Sequence, residues 1–401
     1  MVAVRGLLRM RQGPRRVPAG GVAAATVLSA LAYTYAGYPV LISGLSRCWG
    51  PRGPAVWPSN KQLPPMTVLI AAFNEEAVIA ERIRNVQAQN YSGRLTVVVV
   101  ADGSSDRTAD IAEEMGVAVL RAPRRAGKSA AVNRGMAVCV SELVCLTDAN
   151  CSFLPGALRA LAEGFVDASV AVVGGVKGVS GDTVQGAGEG LYWRLESRIK
   201  AAESTFGCTS GAVGEICAVR RSAFRPIPPG VINDDFHLSC DALIRGYQVR
   251  HASNAVSVEP VSATLADEFE RRARIAAGTW QTIFAHLRLL APRHGWTAIT
   301  FASHRVLRSV VVPVLLPGLF GGSLISAKVS WPARVLLAGQ LAVYGSAVAG
   351  AVTGERAFAA PLQFALMNLA ALRGGLRYLR RSQPVAWRRV TRSGMEAQVK
   401  L

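Results

Sequence analysis

The amino-acid sequence predicts an α/β domain with a mostly parallel sheet, placed between apolar segments that are long enough to cross a membrane. Between residues 67 and 148, four apolar runs each end in polar residues and are followed by a helical pattern. This alternation is typical of a parallel sheet with covering helices. Half of the residues are hydrophobic and the mean hydropathy is +0.27, which is high for a wholly soluble protein.

The polar residues at the ends of these four strands indicate where a ligand binds. Asn74, Asp102, Lys128 and Asp148 each follow one of the apolar runs. In open α/β sheets, ligands bind outside the carboxyl ends of the strands. We therefore expect these four residues to surround one pocket.

The distribution of charge favours a membrane protein over a nucleic-acid binder. The 401 residues include 45 Lys and Arg against 26 Asp and Glu, a formal net charge of +19. Arginines crowd both terminal regions beside uncharged stretches, as expected for charges held at a membrane surface. No basic stripe with interleaved aromatic residues is present, so we predict no nucleic-acid partner. The seven cysteines form no C-x-x-C pair and the five histidines are scattered, which disfavours a zinc site.

These patterns divide the chain into seven predicted segments. They are a basic tail at 1–19, a transmembrane helix at 20–47, a Pro-rich linker at 48–65, the α/β domain at 66–265, amphipathic interface helices at 266–305, transmembrane or interfacial helices at 306–373, and a second basic tail at 374–401. Residues 309–327 and 335–354 are long enough to span a bilayer, whereas the shorter stretch 357–372 suits an interfacial or re-entrant helix. Within the α/β domain, residues 181–190 are predicted to be a glycine-rich loop.

The stretch from Ala266 to Leu290 predicts a helix at the membrane interface. Its basic side carries Arg271, Arg272, Arg274 and Arg288, and its other side is apolar. Such a helix can lie on anionic lipid. A soluble surface helix is the alternative interpretation.

Several residues have side chains suited to phosphate or metal chemistry. Asp148 and Asn150 present oxygen ligands suited to Mg²⁺ or Mn²⁺. Lys128, directly after Gly127, is a suitable partner for phosphate. Asp102 at a strand end can accept hydrogen bonds from a base or ribose. Asp234 and Asp235 are either helix-capping acids or a pair that includes a general base.

A P-loop nucleotide-binding phosphotransferase is one alternative. Residues 122–129 nearly match G-x-x-x-x-G-K-[ST], and residues 143–148 resemble a Walker B strand. The match fails at its first glycine, which is Ala122, and at Pro123, which has no N–H to offer a phosphate.

Taken together, the motifs resemble those of family 2 glycosyltransferases. The resemblance rests on motifs in the right order, at residues 72–76, 100–106, 127–133, 147–150, 214–221, 233–236 and 271–281, and it extends from about Tyr33 to Arg392. With its apolar flanks, the chain is similar to the membrane-embedded bacterial members related to cellulose, hyaluronan and poly-N-acetylglucosamine synthases.

The resemblance implies a GT-A fold and a hexosyltransferase that uses a nucleotide sugar, most commonly UDP-linked, with inversion at the anomeric carbon. It implies nucleotide-sugar contacts from Asn74, Glu76, Asp102, Lys128 and Asp148, and metal ligation by Asp148 and Asn150 with Mg²⁺ or Mn²⁺. It further implies Asp235, beside Asp234, as the base, and contacts to acceptor or diphosphate from Gly214, Arg271, Arg274 and Gln281. A catalytically inactive membrane scaffold with the same fold is disfavoured because the acidic and lysine positions are intact.

Two departures from the family pattern concern the product. The family's Asp-x-Asp is Asp148-Ala-Asn150 here, and its Gln-x-x-Arg-Trp is Arg271-x-x-Arg274-Ile275. The glutamine and tryptophan that hold the acceptor sugar in polymerising members are absent. Processive polymerisation and transfer of one sugar to a lipid-linked acceptor, such as a polyprenyl phosphate derivative, both stay open. We expect a multi-pass protein of the plasma (inner) membrane, in contact with its lipids, with the α/β domain in the cytoplasm; the sequence identifies no partner subunit.

Overall fold

A computed structural model describes residues 19–49, 62–180 and 183–384. Both predicted basic tails lie largely outside these ranges, as do residues 50–61 of the predicted Pro-rich linker. The fold of the remaining chain is described below.

Eight strands of the described residues form one mixed sheet in the order β3-β2-β1-β4-β7-β6-β8-β5. The strands are β1 (Met66–Ala72), β2 (Leu95–Asp102), β3 (Ala118–Ala122), β4 (Leu143–Asp148), β5 (Ser152–Phe153), β6 (Val170–Ser180), β7 (Cys217–Arg220) and β8 (Gln248–Pro260). The four strands predicted from the apolar runs pair in parallel. The short β7 then runs antiparallel between β4 and β6.

Thirteen α-helices are found in the described residues. They are α1 (Ala19–Ala32), α2 (Tyr38–Trp49), α3 (Ile79–Gln87), α4 (Thr108–Glu114), α5 (Lys128–Val138), α6 (Ala157–Glu163), α7 (Val184–Ser204), α8 (Asp234–Ile244), α9 (Leu265–Ala285), α10 (Trp296–Thr300), α11 (Val312–Ser326), α12 (Trp331–Thr353) and α13 (Ala359–Leu379). Two π-helical segments, Tyr33–Gly37 and Phe301–Val311, continue α1 into α2 and α10 into α11.

Side chains on both faces of the sheet are buried, and this explains why its strands are continuous apolar runs. Every residue of β1 is buried. Leu69 and Ala71 point into one core cluster, and Val68 and Ile70 point into the other. Strands covered on both faces have no need of the polar alternation seen in half-exposed strands.

The predicted glycine-rich loop at 181–190 is wrong from residue 184 onward. Helix α7 begins at Val184, and the Thr183 hydroxyl caps it by accepting a hydrogen bond from the N–H of Gly186. A Cβ at Gly188 would lie 2.8 Å from the carbonyl oxygen of Ala359. The small residue therefore allows α7 and α13 to approach closely. The glycines of this stretch, which predicted a loop, lie within a helix.

Contrary to expectation, the predicted interface helix does not expose all of its basic residues. In α9, Arg271 and Arg272 turn inward and form ion pairs with Glu189 of α7 and Glu268 of α9. A guanidinium out of water is tolerated when carboxylates satisfy it. These two arginines therefore do not present a basic surface to lipid.

Three helical stretches are long and apolar enough to cross a membrane: Ala23–Trp49, Trp296–Ser326 and Trp331–Thr353. The first largely matches the predicted span at 20–47. The second begins at Trp296, before the predicted Ser309, and its first half carries His304, Arg305 and Arg308, whose side chains contact acids of α7. The predicted short segment at 357–372 is the longer α13, which packs against α9 and α7.

The contact between α9 and α13 depends on a glycine. A Cβ at Gly374 would lie 2.5 Å from the Ala273 carbonyl oxygen and 2.6 Å from the Ala277 nitrogen. We expect Gly374→Ala to force the helices apart and to lower the free energy of unfolding by about 1–3 kcal/mol. Gly345→Ala in α12 is the matched control, because nothing lies within 4 Å of its added Cβ. Thermal unfolding of the purified protein in detergent measures both; equal shifts would contradict the close packing.

Candidate active site

One large cavity, of about 1510 Å³, lies beyond the carboxyl ends of β1 and β4. Eight of the predicted site residues line it: Lys128, Asp148, Asn150, Gly214, Asp234, Asp235, Arg271 and Arg274. They come from five separate parts of the chain. The convergence predicted from the strand ends is thus realised for Lys128 and Asp148, and helices α8 and α9 add the rest.

Lys128 holds the acidic residues of the cavity together. It is the first residue of α5, and its ammonium lies 2.7 Å from Asp148 Oδ1, 3.9 Å from Asp234 Oδ2 and 3.0 Å from the carbonyl oxygen of Gly214. Burial opposes its charge, but the Asp148 and Asp234 carboxylates outweigh burial and raise the pKa of Lys128. The lysine is therefore charged at neutral pH.

Asp234 and Asp235 open α8 but have different surroundings. Asp234 is buried, and burial together with the nearby Asp235 and Asp148 raises its pKa to about 6, although Lys128 opposes the shift. Asp235 is partly exposed on the cavity wall. Among the described residues, its carboxylate has no hydrogen-bond or ion-pair partner. A Cβ at Gly214 would lie 3.4 Å from Asp235 Oδ2, so the glycine leaves room around this carboxylate.

Asn150 has a side-chain oxygen suited to a cation. Its Oδ1 is buried and has no hydrogen-bond partner in the described part of the chain, an arrangement that costs free energy unless a ligand fills it. No group of three or more His, Cys, Asp or Glu within the described ranges could hold a metal by itself. Asp148 and Asn150 fit a cation such as Mg²⁺ or Mn²⁺, which takes few protein ligands and completes its coordination with phosphate and water.

Asn74 and Glu76 lie outside the cavity lining, although Asn74 was predicted to share one pocket with Lys128 and Asp148. The Asn74 Oδ1 accepts a hydrogen bond from the N–H of Ser105, and Glu76 Oε2 accepts one from the N–H of Arg107. Asn74 has a φ of +54°, a conformation that asparagine tolerates better than most residues. Both side chains join the loop after β1 to the loop after β2.

Asp102 is also used internally. It is 1% exposed, and its carboxylate accepts hydrogen bonds from the N–H groups of Ala126 and Gly127 and from Arg134. It therefore shapes the loop that delivers Lys128, and it does not face the cavity. The same two amides would have to cradle phosphate in a P-loop, so this geometry also rules against the phosphotransferase alternative.

Of the two remaining predicted residues on α9, Gln281 and Arg274, only Arg274 lines the cavity. Gln281 accepts a hydrogen bond from the Ile232 N–H and donates one to the Gly230 carbonyl oxygen. It holds the segment that leads to Asp234 and does not line the cavity. Arg274 does line it. Burial and the neighbouring Arg271 lower the pKa of Arg274, while Asp148, Asp234 and Asp235 act in the opposite direction.

Sequence reasoning missed a second set of charged groups on the cavity wall. Lys177 of β6 forms ion pairs with Glu215, at 2.5 Å, and with Glu259. Burial and Glu259 raise the pKa of Glu215 to about 7, against the pull of Lys177. A lone lysine within the apolar strand at 170–180 was the available signal, since such a residue needs an acidic partner when buried.

A third set, also missed, lies where α7 meets the apolar stretch Trp296–Ser326. Glu196 of α7 forms ion pairs with Lys200, Arg305 and Arg308, and its Oε2 lies 3.1 Å from His304 Nε2. Arginines just before an apolar segment read equally well as residues of a membrane interface. Only the packing of α7 shows that they point inward.

Comparison with known proteins agrees with this geometry. The sequence model described as Glycosyl transferase family 2 matches residues 67–227. The N-acetylglucosaminyltransferase of Rhizobium meliloti (strain 1021) is 24% identical over 321 residues, which are 74% of this chain and 75% of that protein. The poly-beta-1,6-N-acetyl-D-glucosamine synthase of Staphylococcus aureus (strain COL) is 26% identical over 54% of this chain and 55% of its own.

The fold also extends to a solved structure. The mannosyltransferase PcManGT from Pyrobaculum calidifontis, in complex with GDP-Man and Mn²⁺, superposes with a TM-score of 0.71 at 23% identity, covering 89% of this chain and 99% of that one. That coverage reaches beyond the sheet into the apolar helices. Residues 67–227 thus match glycosyltransferase family 2, the fold is that of GT-A enzymes, and the glycosyltransferase relatives support a hexosyltransferase-type enzyme.

Proposed function

We propose that this enzyme transfers a hexose from a nucleotide sugar, UDP-linked, to a hydroxyl of a glycan or lipid-linked acceptor, with inversion at the anomeric carbon. The observation that carries the proposal is that one cavity is lined both by the Lys128–Asp148 pair and by the Asp235 carboxylate, which has no partner among the described residues. A base and a phosphate-binding cation on opposite sides of a reacting carbon are what in-line displacement of a diphosphate requires.

The cationic residues of the cavity would hold the diphosphate. Lys128 and Arg274 both line the cavity, and lysine and arginine side chains are ordinarily cationic at neutral pH. Asp148 and Asn150 would hold Mg²⁺ or Mn²⁺, and such an ion, when bound, neutralises charge on the departing diphosphate. The known complex of PcManGT with GDP-Man and Mn²⁺ supports this combination. Asn74, Glu76 and Asp102 would act on the nucleotide through the loops that they hold in place.

Asp235 would act as the general base. The acceptor oxygen bonds to the anomeric carbon as the bond from that carbon to the diphosphate oxygen breaks. The electron pair leaves on the nucleoside diphosphate, and the acceptor proton passes to Asp235. Asp234, buried behind it and close to Lys128, would position the start of α8. Attack from the face opposite the leaving group inverts the anomeric centre.

The membrane segments support a location in the plasma (inner) membrane with the sheet domain in the cytoplasm. Three stretches are long and apolar enough to span. Two spans after the sheet domain return the chain, and with it the basic C-terminal region of the sequence, to the side of the sheet domain. Basic residues favour the cytoplasmic side.

The test uses membranes that contain the full chain, supplied with a panel of UDP-sugars and Mg²⁺ or Mn²⁺. Release of UDP with one donor, together with a labelled product, is the expected result, and product size separates single transfer from polymerisation. Nucleotide binding without release from any UDP- or GDP-sugar, in membranes with their native lipids, would overturn the proposal and favour the inactive scaffold.

A further inference from the structure

The active-site cavity does not end at the catalytic carboxylates. It continues to side chains of the helices that flank the sheet domain: Tyr35, Pro313, Phe364 and Met367. Tyr35 and Pro313 belong to two of the stretches that are long and apolar enough to span a membrane. The volume of about 1510 Å³ exceeds the roughly 300–1,000 Å³ of a pocket for one small ligand. The donor therefore leaves space unused, and that space leads toward the apolar helices.

A cationic cluster formed by Lys200, Arg305 and Arg308 also lines the cavity. Lys200, Arg305 and Arg308 lie 3.7, 3.4 and 2.9 Å from the Glu196 carboxylate. The other nearby carboxylate, Glu203, is engaged by Tyr38 and His304. Three cations and two carboxylates, Glu196 and Glu203, thus meet in a poorly hydrated site, and in the described part of the chain only Glu196 contacts the three cations directly. An anionic group of a ligand would complete this cluster.

The two arginines connect the two ends of the cavity. The Arg305 guanidinium lies 5.2 Å from the ring centroid of Phe236, the residue after Asp235. The Arg308 guanidinium lies 6.0 Å from the ring centroid of Tyr35. Both arginines sit on the π-helical segment Phe301–Val311, and Tyr35 sits on the other π-helical segment. Such segments are rare and occur frequently at functional sites.

We propose that Arg305 and Arg308 bind the phosphate of a lipid-linked acceptor whose long apolar chain lies along Tyr35, Phe364 and Met367. The inference rests on the proposed function, which places the attacking hydroxyl at Asp235. An acceptor of this class presents a sugar hydroxyl, then a phosphate, then an apolar chain, which is the order of surroundings along the cavity. It favours transfer to a membrane lipid over extension of a free polysaccharide.

Binding of lipid probes to the full chain in nanodiscs tests the proposal without turnover. The probes are a long-chain polyprenyl phosphate, the corresponding polyprenol without phosphate, and a short-chain isoprenyl phosphate. We expect the polyprenyl phosphate to bind at least about tenfold more tightly than either of the others. Tight binding of the short-chain phosphate would show a site for soluble phosphates and overturn the lipid assignment. Equal binding of the polyprenol would overturn the role of the arginines.

Two variants test the two halves of the site separately. Arg308→Gln is expected to reduce polyprenyl phosphate binding to the level of the polyprenol, and Arg308→Lys to restore part of it. Met367→Trp fills the apolar part and is expected to weaken both long-chain probes about tenfold. Leu369→Trp, on the exposed side of the same helix, is the matched control and should change neither. Unchanged lipid binding in both Arg308→Gln and Met367→Trp would refute the proposal.

A nucleotide-binding measurement on each variant distinguishes folding defects from specific effects. The donor site is formed by Lys128, Asp148 and Arg274, so a folded variant retains UDP binding. Failure of the lipid probes to bind, with UDP release and transfer intact, refutes only the acceptor assignment. Lipid binding without any sugar transfer refutes only the proposed function.

Discussion

Asp235→Asn is expected to lower sugar transfer by about 10²–10⁴-fold, the usual contribution of a positioned general base, while donor affinity stays within about twofold. Asparagine keeps the shape of the side chain but cannot accept the acceptor proton. The Asp235 carboxylate has no ion-pair or hydrogen-bond partner among the described residues. Its neutralisation therefore breaks no internal contact that would disturb the fold. Transfer is measured as labelled product under saturating donor, and affinity as UDP binding.

Asp241→Asn is the matched control for this experiment. Asp241 lies on the same helix and pairs with Arg245 at 2.6 Å, on the side away from the cavity lining. Its replacement should leave transfer within about twofold of the wild type. If Asp235→Asn retains near wild-type transfer, Asp235 is not the base, and Asp234 becomes the candidate to replace next.

Asp148→Asn is expected to lower metal-stimulated donor binding by about 10²-fold or more. A lost carboxylate ligand weakens the hold on a divalent ion that carries several kcal/mol of charge stabilisation, and each 1.36 kcal/mol corresponds to a factor of ten. The substitution also removes the 2.7 Å ion pair of Lys128. Titration of Mn²⁺ against UDP binding and against transfer measures the effect.

Asp110→Asn, a half-exposed acid of α4 paired with Arg121, controls for loss of a negative charge. The variant Lys128→Gln separates the two roles of Asp148, because it removes the ion pair and leaves both proposed metal ligands. If Asp148→Asn shows an unchanged Mn²⁺ requirement while Lys128→Gln reduces donor binding, Asp148 serves only to orient the lysine.

Local patterns in the sequence were sufficient to predict the parallel half of the sheet and the approximate spans. Strands β1, β2 and β4 are apolar runs in which most residues are buried, so composition alone identifies them. The placement of Lys128 and Asp148 at one edge follows from the rule that parallel strands end on the same side. The motif resemblance added Asp234 and Asp235, and the structure brings both into the same cavity.

The environments of the other charged residues depend on contacts between residues that are distant in sequence, and no local pattern predicts such contacts. In the sequence, Arg271 and Arg272 predicted a basic side that faces lipid. In the structure, Glu189 from another helix forms ion pairs with both. Asp102 was predicted to contact a ligand, but its carboxylate accepts hydrogen bonds from the N–H groups of residues 126 and 127. The burial of a charged side chain is set by its partner, and Glu196 meets Arg308 across 112 positions of sequence. Only the tertiary packing of α7 against the segment Phe301–Val311 creates that contact, and with it the cationic cluster in the cavity.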